Sequence, residues 1–312
     1  MMRCRHQLRG LRGAAMGAAL LLMLGSPRAA WGKPPKAAAT QSADEAAAAA
    51  IELPADVNDA SLRISAMDTI YELDLSVQQL NALRAAATGT AATTKRTPGQ
   101  ATPQLLAALK NFQTALLAGK DDAQVAKLRN QVLDLANGED VQLDNGIVTT
   151  PAARTRAPGL CLQLKASQLA AYLAVHADEV SDPQELMMIT ADGLQDVRSD
   201  PAEKADAATI SQGMIQDTAS TVGALVAGMN DVQAQAIAQR VTDWLRSVDT
   251  MTTPIFAKQR QTLEDSAGKI VGNMSPVAVL NNWLDQQMAI LLSNPQLPDA
   301  IDAILKVRLQ SQ

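Results

Sequence analysis

An all-α fold, built as an elongated multi-helix bundle of helical hairpins, is predicted for this 312-residue chain by three observations. Hydrophobic residues make up 47% of it and aromatic residues 2%. Alanine and leucine therefore supply the apolar area, as in packed helices and unlike an aromatic-rich β-sandwich. From Asn58 onward the apolar residues recur at three-and-four spacing, the period of a helix with one buried face. Helix-start chemistry recurs with them, as serine or aspartate before a run and proline at its first position.

The first 32 residues read differently from the rest. Arg3, Arg5, Arg9 and Arg12 precede the 12-residue apolar run Ala14–Gly25, and the small-residue site Ala30-Trp31-Gly32 follows. This is the pattern of a secretory signal peptide cleaved after Gly32. The run is shorter than the roughly 20 apolar residues of a spanning helix, so a retained N-terminal anchor is the lesser alternative. No twin arginine and no cysteine at the end of the run point to a Tat signal or a lipid anchor. The expected location is periplasmic or secreted, without a stable membrane span. Removal of 1–32 takes five of the 27 basic residues and none of the 32 acids, leaving 22 bases, 32 acids and a net charge of −10. Such a surface repels polyphosphate, which disfavours nucleic-acid binding.

Residues 33–56 form an Ala/Pro-rich linker, in which Ser42-Ala43-Asp44-Glu45 could cap a frayed helix over Ala46–Ala50 that has little to bury. An N-terminal helical domain is expected over 57–137. Its stripes are Leu62, Ala66, Ile70 and Leu73, then Leu105, Leu109, Phe112 and Leu116, then Val125, Leu128, Val132 and Leu135. Gly119-Lys120-Asp121 joins the last two as an antiparallel hairpin, and Thr88–Pro103 reads as a solvated loop. Residues 138–160 read as a linker, with a marginal hairpin about Asn145-Gly146 and breakers at Pro151 and Pro158. A C-terminal helical bundle is expected over 161–312. Two of its helices start at Asp182-Pro183-Gln184-Glu185 and Asp200-Pro201-Ala202-Glu203, where aspartate caps free amides and proline occupies the first helical position. Later stripes run Ile215, Val222, Leu225, Met229; Ile237, Val241, Trp244, Val248; Phe256, Leu263, Ile270; and, after Ser275-Pro276, Val277, Leu280, Leu284, Met288 and Leu291. Pro298 opens a last helix with Ile301 and Leu305.

One start is duplicated. Leu73-Asp74-Leu75-Ser76-Val77-Gln78-Gln79-Leu80 recurs 89 residues on as Leu162-Gln163-Leu164-Lys165-Ala166-Ser167-Gln168-Leu169, both reading L-x-L-x-x-x-Q-L. In the first copy Ser76 is an N-cap, Gln79 reaches back to it, and Leu75 with Leu80 forms a hydrophobic staple. As helix-start grammar the octet is physically complete in itself. The pair also resembles the two L-T-x-x-Q motifs of the Spy/CpxP-like periplasmic chaperone and stress-adaptor family. Ser76 stands for the threonine, and Lys165 replaces the cap in the second copy. The resemblance implies an exported, all-helical, enzyme-free protein that holds unfolded clients on a concave helical surface.

Reactive side chains are sparse. Past residue 32 the chain has one cysteine, Cys161, and one histidine, His176, which rules out an intramolecular disulfide and a tetrahedral N/S zinc site. Cys161 lies between two leucines, as an inert buried thiol does, and nothing nearby in sequence activates it as a nucleophile. The acid pairs Asp121-Asp122, Glu139-Asp140 and Asp178-Glu179 suit caps and turns. Glu139, Asp140 and Asp144 offer at most weak calcium ligation without the D-x-D-x-D-G loop. Gly268-Lys269 lacks the rest of a phosphate loop. No catalytic, cofactor or metal residue is assigned. Eight methionines remain after residue 32, Met187, Met188, Met214, Met229, Met251, Met274 and Met288 among them, either as a pliable binding surface or as core filler. The expectation is a non-enzymatic exported protein that binds other polypeptides, as a holdase or stress adaptor. The alternative is a structural or assembly subunit with one fixed partner, and a thiol hydrolase using Cys161 and His176 ranks third.

Overall fold

The computed structural model describes residues 45–93, 102–138, 147–176, 180, 182–199, 207–272 and 274–310. Every regular element among them is a helix, so the chain is all-α. No helix among the described residues is long and apolar enough to cross a membrane. The expected signal peptide, most of the expected Asn145-Gly146 hairpin and the expected Asp200-Pro201 start lie outside the described residues.

Two compact units form, and their division differs from the expected one at 138–160. A split unit comprises the described chain up to Val175 together with Gln287 onward, and an inserted unit comprises His176–Gln286. The division differs because the last helix belongs with the first ones, through contacts between residues more than 200 apart that no local pattern encodes.

The split unit contains α1 (Val57–Glu72), α2 (Val77–Ala86), α3 (Pro103–Ala118), α4 (Asp122–Gly138), α5 (Pro151–Cys161), α6 (Ala166–Val175) and α12 (Leu297–Gln310). Helix α1 is the hub, packing on α3, α6 and α12, while α12 also packs on α2 and α3. Leu62, Ile70, Leu105 and Leu109 of the expected stripes fill the core at 0–1% exposure, together with Met67 and Leu80. Helices α3 and α4 form the expected hairpin, turning at Gly119. Polar ties fix its position. Arg129 of α4 chelates Asp68 of α1 at 2.6 and 2.7 Å and reaches Glu72 at 2.6 Å. The Tyr71 hydroxyl sits 2.7 Å from both Lys120 O and Asp122 Oδ1.

Three expectations need correction here. The end of the linker is packed: residues 45–49 are helical, Ala48 and Ile51 are buried, and Gln113 donates to Ile51 O at 3.0 Å. Residues 88–93 are mostly exposed, as a solvated loop is, but Thr90 within them is fully buried with its hydroxyl 2.6 Å from Leu292 O. The segment 151–161, expected within a linker, is helix α5. Thr150 caps it at 3.2 Å, Pro151 sits at the first helical position where a missing N–H is harmless, and Pro158 falls in the last turn.

The inserted unit contains α7 (Pro183–Ser199), α8 (Ala207–Ala227), α9 (Asp231–Asp249) and α10 (Thr253–Val271). Helix α11 (Pro276–Ser293) carries the boundary, its residues to Gln286 counted here and the rest in the split unit. Asp182 caps α7 as expected, accepting from the Gln184 and Glu185 amides. Helices α8 and α9 form a hairpin against which α7 and α10 pack, around Met187, Leu194, Val222, Ile237, Val241 and Leu245. A Cβ at Gly223 would lie 2.6 Å from Ala234 O, so the α8–α9 contact uses the missing side chain. The last carbonyls of α8 are satisfied from α11: Gln286 donates to Ala224 O, and Asn282 donates to Leu225 O and Val226 O.

Candidate functional site

The residues singled out for chemistry are dispersed into structural roles. Cys161 is the half-buried last residue of α5 in the split unit. His176 belongs to the inserted unit, its ring 5.6 Å from that of Trp283 and tilted by 49°. Among the described residues no cluster of histidine, cysteine and carboxylate side chains is arranged to hold a metal ion. Asp121 and Asp122 serve the α3–α4 turn: Asp121 accepts from the Gln124 amide, and Asp122 meets Tyr71. Burial and the Asp122 carboxylate push the Tyr71 hydroxyl above its ordinary range. Glu139, Asp140, Asp144 and the Asp178-Glu179 pair lie outside the described residues. Gly268-Lys269 is internal to α10, where no loop exists to cradle phosphate. Met67, Met187, Met188 and Met288 are buried at 0–7% exposure, which places these four in the core and not on a pliable surface.

The duplicated octet assembles into the most organised polar arrangement of the split unit. The first copy makes the full capping box: Ser76 Oγ accepts from the Gln79 amide at 3.3 Å, and Gln79 Oε1 accepts from the Ser76 amide at 2.9 Å. Leu75 and Leu80 are buried, as a staple requires. In the second copy Lys165 offers no cap oxygen, yet Gln168 Oε1 still accepts from the Lys165 amide at 2.9 Å. The half of the box that depends on glutamine is thus common to both.

The two copies face each other. Gln79 Nε2 donates to Gln168 Oε1 at 2.9 Å, and Gln168 Nε2 donates back to Gln79 Oε1 at 3.1 Å, a closed amide–amide ring. Each glutamine then reaches the backbone before the other helix. Gln79 donates to Gln163 O at 3.2 Å, and Gln168 donates to Leu73 O and Asp74 O at 3.0 and 2.9 Å. Gln163 and Asp74 occupy the same octet position, as do Gln168 and Gln79, so the pairing repeats the 89-residue offset in space. Asp74 turns the chain in the left-handed region at φ 46°, and Arg308 of α12 donates to the next carbonyl, Leu75 O. Three consecutive carbonyls before α2 are therefore held by side chains from α6 and α12. Burial lowers the Arg308 guanidinium from its usual range, with the Asp74 charge opposing.

Beneath the ring lies a small apolar pocket. Leu73, Leu75, Leu83, Met288 and Leu291 line one part of it, Leu160 and Leu164 another, and Gln79 and Gln163 contribute its polar edge. Beside the pocket Leu162 is 88% exposed. The sequence shows the repeat and the role of each glutamine in its own helix start. The reciprocal ring is missed, although the equal offset of the two glutamines is its signal. Comparison with known protein families, with curated proteins and with solved structures finds no match for this chain.

Proposed function

We propose that the chain is an exported, non-enzymatic protein that binds other polypeptides, a holdase or stress adaptor of the kind its paired motifs resemble. One observation carries the reading. The two octets, far apart in sequence, form one reciprocal element joined through Gln79 and Gln168. Of the side chains weighed for catalysis, Asp121 and Asp122 serve the α3–α4 turn and His176 lies against Trp283. The test is suppression of aggregation of a chemically unfolded client by the purified protein. Suppression at near-equimolar ratio supports a holdase, and none at several-fold molar excess overturns it.

The buried methionines favour a second reading, a structural or assembly subunit with one fixed partner, because a well-packed core leaves little adaptable surface. Capture of the native protein from its compartment separates the two by mass spectrometry. A single stoichiometric partner identifies the subunit, and a mixed, weakly held population identifies the holdase.

A further inference from the structure

We infer that residues 160–175, the final two residues of α5 with α6, form a strap latched over an apolar seam by the Gln79–Gln168 ring. Helix α6 is composed of Ala166-Ser167-Gln168-Leu169-Ala170-Ala171-Tyr172-Leu173-Ala174-Val175, yet Tyr172 is its one buried side chain. Val175 is 50% exposed and Leu162 88% exposed. Tyr172 is thus the segment's one buried anchor, and the glutamine ring adds a specific polar attachment beside it. Upstream the chain is anchored elsewhere. Thr150 donates through its hydroxyl to Thr90 O and through its amide to Ser293 Oγ, and Arg156 donates to Ala86 O and Thr88 O. Between anchor and strap stand Pro158 and Gly159, in the last turn of α5. Proline removes one backbone donor and glycine frees the backbone, which makes this turn the hinge.

Opening moves Leu160 and Leu164 away from Leu73, Leu75, Leu83, Met288 and Leu291, uncovering a leucine–methionine seam in the split unit. Gln79 and Gln168 act as one device. Removing either amide breaks the ring and takes a donor from the facing carbonyls of Leu73 and Asp74 or of Gln163. The purpose of the seam, to receive an apolar polypeptide segment, rests on the function proposed above. The opening does not, since it is measured without a client.

Hydrogen exchange read by mass spectrometry on the full chain is the test, with wild type, Gln79→Leu, Gln168→Leu and the double variant. In the wild type, amides of 166–175 exchange at least about tenfold faster than those of α1 and α3. Each single variant speeds them about tenfold more, and the double variant further still, because each glutamine keeps its own bonds to the facing carbonyls when only the other is replaced. Exchange in α9 stays unchanged, and binding of an apolar dye rises with strap opening. Strap amides as protected as α1 in the wild type overturn the proposal whether or not the variants fold. Folded single variants with unchanged strap exchange also overturn it. Faster strap exchange without client binding would sustain the strap and count against the proposed function.

Discussion

At Ser76 a single hydroxyl distinguishes the two copies of the octet. It accepts from the Gln79 amide, whereas Lys165 leaves the equivalent amide to backbone carbonyls alone. Ser76→Ala should cost about 1 kcal/mol in urea unfolding, and Lys165→Ser should gain about 0.5 kcal/mol. Equal and negligible effects would mean that the ring fixes both helix starts without caps. Gly228 is demanding for another reason. It closes α8 at φ 57°, and a Cβ there would sit 2.6 Å from Asn282 Oδ1. Asn282 is held in place by its bonds to Leu225 O and Val226 O. Gly228→Ala should destabilise by about 2–3 kcal/mol, combining left-handed strain with displaced hydrogen bonds. Much at this scale was legible: Ser76, Asp182 and Gly119 cap or end helices as their residue types demand. The ring was not, because a glutamine's second amide proton leaves no trace in its own neighbourhood.

Helices in this chain are set by local grammar, and their docking is set by a few polar clamps. The seating of α4 on α1 illustrates this, with Arg129 between Asp68 and Glu72 and Tyr71 against Asp122. The Tyr71 proton is held more tightly folded than unfolded, so this contribution is complete below the ordinary tyrosine value of about 10 and drains away as pH rises beyond it. The thermal midpoint of wild type should therefore fall between about pH 8 and 11 by more than that of Tyr71→Phe, which starts lower and has a flatter profile. Parallel profiles would remove Tyr71 from the account. The miss at α5 has a physical cause too. Pro151, Pro158 and Gly159 read as breakers, but Thr150-Pro151 is the same cap-and-proline start as Asp182-Pro183. Placed at the two ends of a short helix, the prolines interrupt little of it.

Across the whole molecule, the all-α class followed from composition and period, while the pairing of first and last helices did not. Helix α12 buries Leu297, Ala300, Ile301, Ala303, Ile304 and Val307 in the split unit. Its leucine, isoleucines and valine alone represent about 6–12 kcal/mol of burial, comparable with the entire stability of an ordinary domain. A chain ending at Gln296 should therefore lose the split unit's helicity by circular dichroism. Trp244 and Trp283 belong to the inserted unit, so their fluorescence should still report a cooperative transition. Loss of both signals together would show the units to be one cooperative body. The far-reaching closure also fixes a timetable. As the polypeptide emerges head first, whether from a ribosome or through a narrow pore, everything needed by His176–Gln286 is out before the final helix appears. The earlier helices must wait, greasy faces uncovered, until some twenty further residues arrive to seal them. During that interval the nascent protein is itself a body in need of shelter.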